Sequence, residues 1–224
     1  MGTINIIGSK APVQVPKIIC VGRNYREHAS EMKAEVPSDP VLFLKPPTAI
    51  VHSGENIVRP LFSKEMHHEV ELVVALGSGG KDIHPAKTWG LIAGYAVGLD
   101  MTLRDVQGVA KQKGLPWAIA KGFDTSAPVS DFLPAASAGP RPIFDIECSV
   151  NGTVRQRVST SAMIFELAYI LHYISTIFTL EAGDLIFTGT PEGVGPVRPG
   201  DTIEAKLSGF ASTRHSIVSA APSR

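Results

Sequence analysis

The chain has 224 residues, 44% hydrophobic and 19% charged, which excludes wholesale disorder and supplies enough apolar material for one substantial core. Lysine plus arginine and aspartate plus glutamate both total 21, so no net field recruits nucleic acid, and no basic stripe or stacking motif suggests it locally. No apolar run reaches the roughly 18 residues of a membrane span, and no secretory leader is legible, so a cytoplasmic protein is expected.

Residues 17–22 (Lys-Ile-Ile-Cys-Val-Gly) read as a strand, and Arg23 to Lys33 as a short helix carrying Tyr25, His28 and Met32. His28 and Glu31 lie three apart on that helix and are therefore surface neighbours. A carboxylate beside an imidazole orients its tautomer and raises its basicity, so the pair can activate water; an ordinary helical pair is the alternative. Val41 to Lys45 is a short apolar strand that ends at Pro46-Pro47.

The run His67-His68-Glu69-Val70-Glu71-Leu72-Val73-Val74 sits within a strand predicted over 66–76. Strand side chains alternate, so Glu69 and Glu71 point to one side with Cα atoms roughly 6.5–7 Å apart. Like charges on a partly buried face repel, and a hard divalent cation offsets them best. A third acid, Asp100, ends the apolar strand predicted over 92–99. Three carboxylates without a thiolate or imidazole pattern select Mg2+, Mn2+ or Ca2+ over zinc. A solvated face with a basic cross-strand neighbour is the plain alternative. His67 and His68 read as structural or supporting residues.

The Gly77–Gly80 run is a loop, and Pro85 to Leu91 a helix. Arg104 to Gly114 reads as another short helix, closed by Gly114 and Pro116. Arg104, Asp105 and Gln107 follow Asp100 closely, at the right place to hold a substrate carboxylate. Lys121 is alone in an apolar run, either snorkelling to the surface or held as a cation that stabilises a developing oxyanion. Residues 131–142, rich in Pro, Ala and Ser, are expected as a surface loop. The 143–158 region is a hairpin around Asn151-Gly152, a better reading of this sequon than glycosylation.

Ser161 is expected to cap a helix running to about 178, apolar on several sides and buried in the core or against a partner. Asp184 to Thr188 is a strand. Gly189 to Gly195 is a tight loop whose backbone N–H groups and Thr190 hydroxyl suit a carboxylate; it lacks the lysine and hydroxyl of a nucleotide-binding loop. A half-buried strand covers 201–207. Cys20 and Cys148, each in an apolar run, read as two buried free thiols in a reducing compartment, with one disulfide as the alternative. No repeat or composition break marks a second domain.

Taken together these segments resemble the fumarylacetoacetate hydrolase family, in particular its short single-domain acylpyruvase type. The matching segments are Val21-Gly22-Arg23-Asn24-Tyr25, His28 with Glu31-Met32, and Pro40 to Pro46. They continue through His67 to Glu71, Leu99-Asp100-Met101-Thr102, Arg104 to Gln107, Lys113 to Trp117, Ala120-Lys121, and Thr188 to Gly195. The resemblance runs from about Lys17 to Glu204.

It implies an α+β, β-rich fold, a mixed β-sandwich roll with short peripheral helices. It also implies one catalytic domain across 1–224 with its core at about 17–207, and a homodimer. The extra N-terminal domain of longer relatives is not expected, which turns the substrate away from fumarylacetoacetate itself. By the same resemblance Glu69, Glu71 and Asp100 are the Mg2+ or Mn2+ ligands, and His28 and Glu31 the water-activating pair. Lys121 is the catalytic cation, and Arg23, Lys45, Arg104, Gln107 and Thr190 surround a small keto acid substrate.

The expected reaction is hydrolysis of an acylpyruvate. The metal chelates the α-keto acid end, water activated by His28 attacks the distal carbonyl, and pyruvate leaves as an enolate held by the metal and Lys121. Oxaloacetate decarboxylation or keto–enol tautomerisation at the same residues is the alternative. A metal-stabilised binding module without catalysis is the alternative of another class.

Overall fold

The computed structural model describes residues 2–31 and 35–221. Two mixed sheets carry most of the chain. The larger has eight strands, ordered Val41–Lys45, Ile18–Gly22, Leu185–Phe187, Val70–Leu76, Ile92–Leu99, Ala127–Val129 and Ile50–His52, with Leu133–Pro134 also pairing to Ile92–Leu99. The second has five strands, ordered Thr153–Ser159, Asp145–Val150, Thr202–Leu207, Ala211–Ser219 and Ile57–Arg59. Three pairings are parallel and the rest antiparallel within these sheets. Helices are few and short, so the β-rich α+β expectation holds.

Strand Val70–Leu76 shows why the core forms where it does. All its residues are buried, so the strand is covered on both faces. Val70, Leu72, Val74 and Leu76 join Ile146, Cys148, Ile203 and Leu207 of the five-stranded sheet in the main core. Val73 and Ala75 face the other way, into a cluster with Cys20, Phe132 and Phe187. Each fully buried Val, Leu or Phe contributes about 1.5–3 kcal/mol relative to exposure, which fixes the register of this strand. Strand Ala211–Ser219 lies beyond the expected core at 17–207 and sends Ile217 into the main core.

Several expected elements need correction. The strand expected over 66–76 divides at Glu69 into Met66–His68 and Val70–Leu76. Met66–His68 pairs with Thr102–Leu103 and Gly195–Val197 in a small third sheet. The first helix starts later than expected, at Arg26, because Arg23 takes a left-handed φ of 59° and Asn24 is engaged elsewhere; it is described as Arg26–Glu31. Met32 and Lys33 lie outside the described residues. Pro85–Leu91 is a 3-10 helix.

Residues 131–142 are not a plain loop: Phe132 is fully buried, Leu133–Pro134 forms a strand, and Ala135–Ala138 a helical turn. Burial of Phe132 overrides the Pro- and Ala-rich composition. The apolar helix begins at Leu167, not near Ser161. Asn24 is the reason: its Oδ1 accepts from Phe165 N–H at 2.8 Å and its carbonyl from Ile164 N–H at 2.8 Å, which holds this stretch extended. One face of the helix, with Ile170, Leu171 and Ile174, packs into the main core, while Tyr169 and Ile177 remain exposed. The Asn151-Gly152 turn has φ of 51° and 78°, as its hairpin requires. Cys20 and Cys148 are free and buried.

Candidate metal and catalytic site

The antiparallel register places the three acids. Val70 pairs with Leu99 and Glu71 with Gly98, so Glu69 and Asp100 meet where the two strands end; Asp100 N–H donates to Glu69 O at 2.8 Å. Glu71, Val73 and Ala75 share one face of their strand, as Ala96, Gly98 and Asp100 share theirs, by strand alternation. The carboxylates of Glu69, Glu71 and Asp100 are 5%, 1% and 1% exposed as residues, and one oxygen of each lies within 4.8 Å of the others.

Burial of three acids demands counter-charge. Lys121 Nζ donates to Glu69 Oε2 at 2.7 Å, Asp100 Oδ2 at 2.5 Å and Thr102 Oγ1 at 2.6 Å. Its charge also sits 4.9 Å from the Phe43 ring centroid. Arg104 Nη2 donates to Glu69 Oε1 at 2.5 Å, and Nη1 to Gln107 Oε1 at 2.8 Å. Burial pushes the Glu69 carboxyl up, but Lys121 and Arg104 more than offset it, holding it well below the usual range. Glu71 goes the other way: burial, then Asp100 and Glu69, push it well above that range, against one hydrogen bond from Gly189 N–H at 2.7 Å.

These residues fit a hard divalent cation. The donors are carboxylate oxygens, Asp100 Oδ1 is buried without a hydrogen-bond partner, and Glu71 is under like-charge stress that a cation would relieve. Lys45 takes a different place from the one expected. It is behind the acids and not on the pocket wall: its fully buried Nζ lies 2.8 Å from Asp100 Oδ1, off hydrogen-bond alignment, and donates to the carbonyls of Met101 and Lys121. Such a position supports Asp100.

A small pocket, open to solvent, is lined by the acids together with Arg23, His28, Arg104, Gln107, Lys121 and Thr190. Ten of the eleven residues singled out from the sequence thus meet at the pocket or at its edge, counting Glu31 through its contact with His28. His28 Nδ1 lies 3.3 Å from Glu31 Oε2, and Glu31 Oε1 accepts from Gly193 N–H at 3.2 Å. The Gly189–Gly195 loop therefore does bind carboxylates, but the protein's own: Gly189 holds Glu71 and Gly193 holds Glu31. Gly189 has φ of 99°, and a Cβ there would come within 2.6 Å of Asn24 Cβ, so only glycine fits.

Sequence reasoning missed Lys111, Trp117 and Phe43 on the pocket wall. For Lys111 a signal existed: it follows Arg104 at i+7 and Gln107 at i+4, on one helical face. It also missed Gln156, which reaches in from the other sheet and had no local signal.

Comparisons with known proteins show the family and the fold. The profile of the fumarylacetoacetate (FAA) hydrolase C-terminal family matches residues 17–218. The mitochondrial oxaloacetate tautomerase FAHD1 of Mus musculus is 50% identical over 200 residues, covering 89% of this chain and 90% of that protein. The mitochondrial oxaloacetate decarboxylase of Dictyostelium discoideum is 45% identical over 195 residues, covering 87% and 89%. The fumarylpyruvate hydrolase of Pseudomonas aeruginosa, crystallised with Mn2+ and pyruvate, has a TM-score of 0.92 at 39% identity, covering 97% of this chain and 96% of that one.

Proposed function

The chain belongs to the fumarylacetoacetate hydrolase family, and on that basis we propose that it is a Mg2+- or Mn2+-dependent acylpyruvate hydrolase. It cleaves a C–C bond of a 2,4-diketo acid to give pyruvate and a carboxylic acid. The observation that carries this reading is the meeting, in one pocket, of three buried carboxylates with a His–Glu pair and a buried lysine.

Glu69, Glu71 and Asp100 would hold the metal. When bound it supplies Lewis-acid polarisation of the 2-keto carbonyl and a counter-charge for the electron pair released by cleavage. His28, oriented by Glu31, takes a proton from water as the oxygen adds to the distal carbonyl. As the tetrahedral adduct collapses, the C–C electron pair goes to the pyruvate fragment and the distal carbonyl becomes a carboxylic acid. The Lys121 ammonium stabilises the charge developing on that fragment, and a proton returned to its C3 completes pyruvate. Arg104 and Gln107 orient the substrate carboxylate; Arg23 and Thr190 border it.

A second reading is favoured by the identity to an oxaloacetate tautomerase and an oxaloacetate decarboxylase. Oxaloacetate would lose CO2, or exchange its C3 proton, over the same acids and Lys121 with no water added. Turnover of acetylpyruvate and oxaloacetate in parallel, with Mg2+ and then EDTA, separates the readings by product NMR. Metal-dependent pyruvate plus acetate, faster than any change in oxaloacetate, supports hydrolysis. Faster change of oxaloacetate moves the function to decarboxylation or tautomerisation, with CO2 release deciding. No metal-dependent turnover of either substrate would leave the binding-module reading, and an unchanged turnover in Lys121→Ala would remove Lys121 from the catalytic set.

The protein would act as a homodimer on a small keto acid. Apolar Leu44 and Leu115, exposed along the groove beside the edge strand Val41–Lys45, support pairing, and sedimentation checks it. Its cytoplasmic placement rests on the two free thiols, which suit a reducing compartment, and cell fractionation tests it against the mitochondrial one of the relatives. Among the described residues no helix is long and apolar enough to cross a membrane.

A further inference from the structure

Arg104 is held at every nitrogen of its guanidinium. Nε donates to His67 Nδ1 at 3.4 Å, Nη1 to Gln107 Oε1 at 2.8 Å and Nη2 to Glu69 Oε1 at 2.5 Å. A guanidinium has five N–H groups, so one on Nη1 and one on Nη2 remain for a ligand. Two such groups in one plane match a carboxylate bidentately, provided that the plane is fixed.

The three contacts differ in what else they serve. Glu69 is one of the acids that fit a metal, and Gln107 lines the pocket beside Arg104. His67 lies off that wall. It is therefore the contact on Arg104 for which no ligand competes.

The His67 ring is itself closely placed. Met66–His68 is the middle strand of the small third sheet, where His67 pairs with Thr102 on one side and Pro196 on the other. An arginine Nε only donates, so His67 Nδ1 accepts and the ring hydrogen sits on Nε2. Nε2 lies 2.8 Å from Glu65 Oε1, which takes that hydrogen. The Glu65 carbonyl accepts from Arg104 N–H at 2.8 Å. Ser63 Oγ and Lys64 N–H donate to the next residue, Asp105, at 2.7 and 2.8 Å. Residues 63–67 thus grip the helix end that carries Arg104 by its backbone as well as by its side chains.

We infer that His67, held by Glu65, is a positioning residue that fixes the plane of the Arg104 guanidinium for the carboxylate of the keto acid. The inference rests on the proposed reading of the pocket as a keto acid site. Without His67 the guanidinium gains freedom to turn about its stem, and its two free N–H groups leave the plane that a carboxylate needs. Misplacement of such a group is felt in binding even though His67 never meets the ligand.

Pyruvate affinity reads this without turnover. Calorimetry on the Mg2+-loaded protein should show His67→Leu weakening pyruvate by on the order of tenfold, the share of a charge-assisted contact that loses its alignment. His67→Asn, whose Oδ1 replaces Nδ1 as acceptor, should keep most of the affinity. Arg104→Lys, which has no Nε–H, should also weaken pyruvate, and His67→Leu added to it should weaken it no further. Urea unfolding of each variant separates lost stability from lost affinity. A His67→Leu protein that is less stable but binds pyruvate as the wild type does overturns the inference, as does full additivity with Arg104→Lys. Should His67→Leu not fold, Glu65→Ala, on a half-exposed side chain, takes its place: weakened pyruvate is expected, and unchanged affinity overturns the inference. Dependence on His67 in a protein inert on acetylpyruvate and oxaloacetate overturns the proposed reaction and leaves the positioning role standing. Turnover of either substrate with a pyruvate affinity indifferent to His67 does the reverse.

Discussion

Gln156 Nε2 donates to Thr190 Oγ1 at 2.9 Å, and so ties the five-stranded sheet to the pocket wall. The same amide nitrogen donates to Pro191 O at 2.9 Å, while Oε1 accepts from Val70 N–H at 3.0 Å and faces His68 Nδ1 at 3.0 Å. Every bond this buried amide can make is made. Gln156 occupies a lone pair of Thr190 Oγ1 and leaves the hydroxyl hydrogen out of this contact, on a residue that lines the pocket.

Gln156→Leu should therefore act on both stability and turnover. Groups stripped of their partner cost about 1–3 kcal/mol each, so urea unfolding should show a loss of at least that size. If Gln156 works through Thr190, the effects of Gln156→Leu and Thr190→Val on kcat/KM should not add, with a coupling of about 0.5–3 kcal/mol. Strict additivity would separate the two residues.

Glu71→Gln should stabilise the metal-free protein and abolish its response to metal. A neutral amide escapes the burial cost and the repulsion from Asp100 and Glu69 that together hold the Glu71 carboxyl well above the usual range. In the wild type, Mn2+ at a hundredfold over its dissociation constant should add about 2.7 kcal/mol. Thermal unfolding with Mn2+ and with EDTA reads both effects. A variant that keeps the Mn2+ shift would remove Glu71 from the ligand set.

His28→Gln should lower acylpyruvate hydrolysis by about 10²–10⁴-fold, the usual share of a general base. Glu31→Gln should lower it less, because the imidazole is retained but loses its orienting partner at 3.3 Å. Oxaloacetate decarboxylation, which adds no water, should be less sensitive to both. Hydrolysis spared by Glu31→Gln while decarboxylation is lost would refute these roles.

Stability should fall below about pH 6.5 in part through His215, far from the acids. Its Nδ1 lies 2.8 Å from Glu55 O and its Nε2 2.6 Å from Thr213 Oγ1, contacts that hold the ring inside the protein. Burial is the main cause of its lowered pKa. The unfolded chain takes up the proton near the ordinary value of 6.5 and the folded one only at lower pH, so this stability is present above 6.5 and lost as pH falls toward the folded value. Unfolding midpoints at several pH values should show a shallower acid slope in His215→Gln. An unchanged slope would sink the assignment.

What the sequence revealed follows from periodicity. Glu69, Glu71 and Asp100 were legible because strand alternation and two strand ends suffice to bring them together. Lys121 was visible only as an oddity, since nothing local says that its partners are Glu69 and Asp100. Lys45 came from the family resemblance alone, which names a residue without giving its depth; its ammonium sits beside Asp100, off the pocket wall. The late start of the Leu167 helix and the anchoring of Thr190 were hidden for one reason. Asn24 and Gln156 act across 141 and 34 positions of sequence, and no local pattern encodes such contacts.

Strand Val70–Leu76, covered on both faces, has a consequence for how this protein can diversify. A substitution on it disturbs one core or the other as well as the acids, so the chemistry is written in the part of the chain least free to vary. Lys111 lines the pocket from an exposed helical turn, where exchange costs the fold little. Descendants of such a chain would change what they accept long before they change what they do to it.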